Sequence, residues 1–143
     1  MPERHNRGFW LVVGGIGLAS ALLVAAILYN APMKDTIGHA EDTLRVAQAA
    51  AQRIRDSRGS FGSAAAAALA TADPSHTYRD GAAPSTGLDD VSIATGPAAW
   101  AAAVQARPGA CFYLHLTDGG EVFYGVGSVC TGSAALNATD PRW

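Results

Sequence analysis

The chain has 143 residues, room for one domain and little more, and 49% of them are hydrophobic, many of these alanine. Its formal net charge is −2, and Lys34 is the only lysine, so it lacks both the basic footprint of a nucleic-acid binder and a polybasic lipid patch. Its two cysteines, Cys111 and Cys130, both sit late in the chain. They read as a disulfide if that segment lies outside the cell, and as two buried thiols if it does not.

The stretch RGFWLVVGGIGLASALLVAAILYNAP runs from Arg7 to Pro32, and no charge interrupts it from Phe9 to Tyr29. That matches the roughly 20 residues that cross a hydrocarbon core as a helix. A cleavable secretory signal has a shorter apolar core, about 7–15 residues, and a small-x-small cut site. The end of this run, ILYNAPMKD, offers no convincing site of that kind, and AAILYNA is only a weak version of one. The expectation is a cytoplasmic leader over 1–8 and a retained transmembrane helix over 9–31. Arg4 and Arg7 precede the span while Asp35, Glu41 and Asp42 follow it, which places the N-terminus in the cytoplasm and the rest outside. Trp10 and Tyr29 stand at the two ends, where amphipathic rings favour headgroups. Gly14, Gly15, Gly17, Ala19 and Ala21 are small residues, and pairs four apart such as Gly15/Ala19 and Gly17/Ala21 share a face on which helix backbones approach closely in lipid. An Ala/Gly-rich composition also produces such pairs by chance.

Pro32 predicts a kink. Beyond it, Ile37, Ala40, Leu44, Ala47, Ala51 and Ile54 recur at helical spacing, with Glu41, Asp42, Arg45, Gln48, Gln52, Arg53 and Arg55 on the other faces. The spacing predicts a stem helix over 32–58 that ends near Asp56–Gly59 and offers one narrow stripe to a packing partner. The alanine run 64–70 predicts a short second helix. Pro74 and the Gly/Pro/Ser-rich residues up to Gly87 predict loop. From Val91 the period becomes two, in VSIAT, AWAAAVQA, ACFYLHLT and EVFYGVGS, separated by GPA, RPG and DGG. This reads as an antiparallel meander of about four strands with a hairpin at TDGGE. The ending VCTGSAALNATDPRW reads as loop, and a Cys111–Cys130 bridge would pin it to the third of these strands.

Residues that carry chemistry are scattered. His5, His39, His76 and His115 show no metal-ligand spacing, and GGIG is not followed by Lys-Ser/Thr as a phosphate loop requires. His115 alternates with Tyr113 and Cys111, as a residue on one face of a strand does. Asp89/Asp90 and Asp118/Glu121 read as turn residues rather than calcium ligands. The expectation is no catalytic residue, no metal, no cofactor and no enzyme activity.

A basic leader, Gly-Phe, an apolar helix, a kink, an amphipathic helix, an antiparallel sheet and a late cysteine pair form a plan that resembles the type IV pilins and pseudopilins, in particular the pilin-like proteins of actinobacteria. The pieces that carry it are GSFGSA, LATADPSHTYRDG, WAAAV, ACFYLHL and VFYGVGSVCTGSAAL. The resemblance implies an α+β fold, a long transmembrane and stem helix packed on the small sheet, with residues 59–143 as an extracellular head. It implies that a prepilin peptidase cuts after Gly8 and that Phe9 becomes the methylated N-terminus. Family members carry glutamate five residues after the cut, where this chain has Val13, and Trp10 replaces a usual small polar residue. The implied function is then a minor pilin or pseudopilin. It would assemble through its N-terminal helix with other pilin subunits, in a type IV pilus or a type II secretion-like filament. The alternative is an uncleaved single-pass membrane anchor bearing an extracellular binding domain. No nucleic-acid partner is implied.

Overall fold

The computed structural model describes residues 35–143. The amphipathic stripe folds as expected into helix α1, described over 35–58. Ala40, Leu44, Ala47, Ala50, Ala51 and Ile54 are all buried, and Ile37 packs against the same cluster. Three- and four-residue steps keep these side chains on one face, and their small size lets α1 lie close to what it covers. The helix stops at Gly59, whose φ of +80° is costly for a residue with a Cβ, and its N–H returns to the carbonyl of Arg55 at 2.6 Å. A 3-10 turn, Phe61–Ser63, capped by the Ser60 hydroxyl, leads into α2, Ala66–Ala72. Both contribute a large buried side chain, Phe61 and Leu69.

Five strands follow: β1 (Thr77–Asp80), β2 (Asp90–Thr95), β3 (Ala99–Arg107), β4 (Ala110–Thr117) and β5 (Val122–Gly127). They form one sheet in chain order, in which β1 runs parallel to β2 and the other pairs are antiparallel. The register settles which side chains share a face, because strand side chains alternate. Val91, Ile93, Trp100, Ala102, Val104, Phe112, Leu114 and Leu116 form the core with α1, Phe61 and Leu69. Ala101, Ala103, Cys111 and Tyr113 point the other way and meet Cys130, Ala135 and Ala138 from the end of the chain. Both faces of β3 are therefore covered, which explains why an alanine-rich segment is a strand here: helix preference is worth a few tenths of a kcal/mol per residue, less than two-sided burial. The hairpins turn at Gly109 and Gly120, both at positive φ.

The last segment is more than loop. Thr131 caps a one-turn helix α3, Gly132–Ala135, and Asp140 forms an isolated bridge with Tyr124. Gly132 donates its N–H to the buried Ser92 hydroxyl at 2.9 Å, and a Cβ there would land on the backbone of Ile93 and Ala94. Glycine is what lets α3 dock on the sheet.

The fold class expected from the sequence is corrected on two counts. The sheet has five strands and is mixed, because the Pro/Gly-rich stretch in which loop is expected contains β1, which pairs parallel to β2. The second correction concerns the membrane: among the described residues no helix is long and apolar enough to cross one. Helix α1 carries Glu41, Asp42, Arg45, Arg53, Arg55, Asp56 and Arg58, and its apolar stripe packs on its own sheet. The leader 1–8, the expected span 9–31, the kink at Pro32, the processing pair Gly8 and Phe9 and the helix-packing residues Gly14, Gly15, Gly17, Ala19 and Ala21 lie outside the described residues. Single-pass membrane topology and partnership with membrane, prepilin peptidase and pilin subunits all rested on a membrane-crossing helix, and so did the filament-subunit function and its anchored-domain alternative. They are withdrawn in favour of an α+β domain described by itself.

Candidate functional site

Three places in the domain concentrate reactive side chains. The first is where α2 gives way to β1, at Asp73-Pro74-Ser75-His76-Thr77-Tyr78. Asp73 ends the helix and is buried. One carboxylate oxygen accepts from the Ser75 amide at 3.2 Å and from the Ser75 hydroxyl. The other accepts from the Tyr78 hydroxyl at 2.6 Å and lies 2.7 Å from His76 Nδ1. Burial alone would push the Asp73 carboxyl up, but the bonds from Ser75, Tyr78 and His76 outweigh it and hold it below the usual carboxylate range. Tyr78 moves the other way. Burial, and then the bond to Asp73 and its charge, push the phenol well above its ordinary value, so it stays protonated and donating.

Serine, histidine and aspartate in contact invite comparison with a nucleophilic triad, and the geometry rules that arrangement out. A triad needs the serine on one ring nitrogen and the carboxylate on the other, so that the ring passes a proton between them. Here both meet the same nitrogen, since Ser75 Oγ lies 3.1 Å from Nδ1. The Ser75 hydroxyl also donates directly to Asp73. The group is an Asx turn whose carboxylate gathers donors and ties α2 to β1.

The second place joins β1, β2 and the connection between them. Arg79 Nε donates to both oxygens of Asp90, at 2.6 and 2.7 Å. Thr86 gives Asp90 its amide at 2.9 Å and its hydroxyl at 2.7 Å. The buried Ser85 hydroxyl donates to the Asp90 carbonyl at 2.5 Å and accepts the Gln105 amide at 2.8 Å. Burial would push the Asp90 carboxyl up, but its bonds to Arg79 and Thr86 prevail and lower it. This network holds the connection 81–89 in place where a parallel pair would ordinarily use a longer crossover.

The third is the disulfide between Cys111 on β4 and Cys130, with Cα atoms 5.1 Å apart across a separation of 19 residues. Both cysteines are buried. The Cys130 carbonyl accepts the Ser85 amide at 2.8 Å, which links the bridge to the Asp90 network.

The remaining residues singled out in the sequence are dispersed. His39 pairs with Asp89 at 2.9 Å on the exposed side of α1. His115 shares the face of Cys111 and Tyr113, as its spacing implied, with Nδ1 3.2 Å from the Ala138 carbonyl. Asp118 meets Arg55 at 3.2 Å, beside a turn in which the Thr117 hydroxyl accepts the Glu121 amide. His5 lies outside the described residues. Among the described residues no group of three or more His, Cys, Asp or Glu could hold a metal ion. The Asp73 group was missed in the sequence, although Asp-Pro-Ser carries an Asx-turn signal. The Arg79–Asp90 pair had no local signal, because it depends on the parallel register.

Compared with known protein families, curated proteins and solved structures, the chain matches none of them.

Proposed function

We propose that residues 36–143 form a non-catalytic interaction domain, one that presents a fixed surface in an oxidising compartment. The observation that carries this reading is the buried Cys111–Cys130 bridge. Disulfides persist where the surroundings are oxidising, and small domains use them to hold a shape that a modest core holds poorly. The polar clusters support the same reading. Asp73 and Asp90 direct their carboxylates to donors within the fold, so their chemistry fixes loops and is not presented to a substrate. Two buried sulfurs also suit a structural bridge better than an exchanging one, because exchange needs an accessible sulfur.

The test is the state of the two cysteines in protein taken from its own host, quenched in acid and alkylated before and after reduction. This reading expects no adduct before reduction and two after it. Two adducts before reduction would place the domain in a reducing compartment and overturn the proposal.

A further inference from the structure

The end of the chain leaves the cysteine-bearing face, passes the outer edge of β5 and finishes on the α1 face. Asp140 donates its N–H to the Tyr124 carbonyl at 3.1 Å and accepts the Tyr124 N–H at 2.7 Å. Trp143 then packs on the Tyr124 ring with centroids 4.2 Å apart and lies edge-on to Phe112 at 6.4 Å. The Arg45 guanidinium of α1 sits 5.7 Å from the Trp143 ring centre. We propose that Asp140–Trp143 is a strap that holds off pairing between β5 and the β5 strand of a second copy, and that its release gives a two-fold dimer with one continuous sheet.

The argument rests on which backbone groups face outward. In an antiparallel ladder alternate residues turn their N–H and C=O toward the neighbour and away from it. Tyr124 bonds to Asp140 on the outer side, so Val122 and Val126 face outward with it. A two-fold pairing centred on Tyr124 sets Tyr124 opposite its mate and Val122 opposite Val126. All three outward positions then fall in the hydrogen-bonded class of pair. The strap occupies only the central one. The Val126 side chain is 68% exposed, and it would gain an apolar cross-strand partner in Val122 of the other copy.

The strand suits its own copy better than an unrelated peptide. Val122-Phe123-Tyr124-Gly125-Val126-Gly127 carries no charge, so no like-charge pair opposes self-pairing, and valines flank the central tyrosine symmetrically. An uncharged exposed edge is a site of association unless something covers it. The cover meets the backbone of the strand at one residue. Its ladder contact is the single bridge at Tyr124, and Trp143 Nε1 is buried with no acceptor among the described residues, which weakens its seat.

The test compares the full-length wild type with the double variant Asp140→Pro, Trp143→Ala, reading amide hydrogen exchange at β5 over a hundredfold range of protein concentration. The wild type should exchange Val126 freely throughout. The variant should slow Val126 exchange at least tenfold at the highest concentration, and adding Val126→Pro should abolish the matching protection at Val122. Protected β3 and β4 amides report that the variant is folded. If the double variant is not, Asp140→Pro alone is judged by the same criterion. Val126 exchange that stays fast at every concentration, or protection that does not depend on concentration, would overturn the proposal. So would a wild type in which Val126 is already protected.

Discussion

Replacing Cys111 and Cys130 together by alanine removes the cross-link while leaving small side chains in a cluster already built of alanines. The separation of 19 residues sets the loop. The chain-entropy relation for a loop of that length gives about 11 cal/mol/K, or about 3 kcal/mol at 25 °C. Against a total of about 5–15 kcal/mol for an ordinary domain, this is a large fraction. The assay is urea unfolding of the full-length chain, oxidised wild type against the double variant. The midpoint should fall. The dependence on urea should steepen, because a denatured chain without the bridge exposes more surface. The two changes together are the signature of a bridge acting on the unfolded state. An unchanged midpoint would refute the reasoning. So would a variant in which only α3 and the tail unravel while the sheet unfolds as before, since the bridge would then pin an appendage and not the domain.

Leu44 is fully buried against the sheet, whereas Val46 on the same helix is 41% exposed. Leu44→Ala should therefore cost about 2–5 kcal/mol by thermal or urea unfolding, and Val46→Ala less than about 0.5 kcal/mol. Asp73 is held below its ordinary value, so its contribution is complete above the unfolded value of about 3.9 and is lost as pH falls through the lower folded value. Asp73→Asn should be less stable than wild type at pH 7, with a difference that narrows at low pH, as unfolding midpoints at pH 7 and pH 3 would show. Gly132→Ala should cost about 1–3 kcal/mol through collision with the Ile93–Ala94 backbone. Gly38→Ala meets open space on α1 and should stabilise the domain by up to about 1 kcal/mol; melting temperatures of the two variants should move in opposite directions.

The readable parts of this fold are those where one local period decides. The stripe from Ile37 to Ile54, the antiparallel runs from Val91 to Ser128 and the glycine turns between them all lie where spacing places them. The sheet was the expected partner of the stripe, and the structure supplies the side chains that meet it, Trp100, Leu114 and their neighbours. β1 was illegible because four residues, Thr77–Asp80, with one buried side chain carry no alternation long enough to detect. Its place in the sheet is a parallel register with β2, which also brings Arg79 to Asp90. α3 was illegible for a similar reason, since its docking depends on the absence of a side chain at Gly132. At the candidate site, the cysteine pair was visible from its position alone. The Asp73 group was not, because Ser75, His76 and Tyr78 acquire meaning only when a turn points them at one carboxylate.

Hydrogen exchange of the full-length oxidised chain tests most directly the claim that α1, sheet and tail are one unit whose outer surface, and not a free stem, is what other molecules meet. Added in small amounts, denaturant should bring the amides of Leu44, Ala47 and Ala51 to the same opening free energy as those of Ala102, Leu114 and Leu116. Fast exchange along α1 that is independent of the sheet would contradict the account.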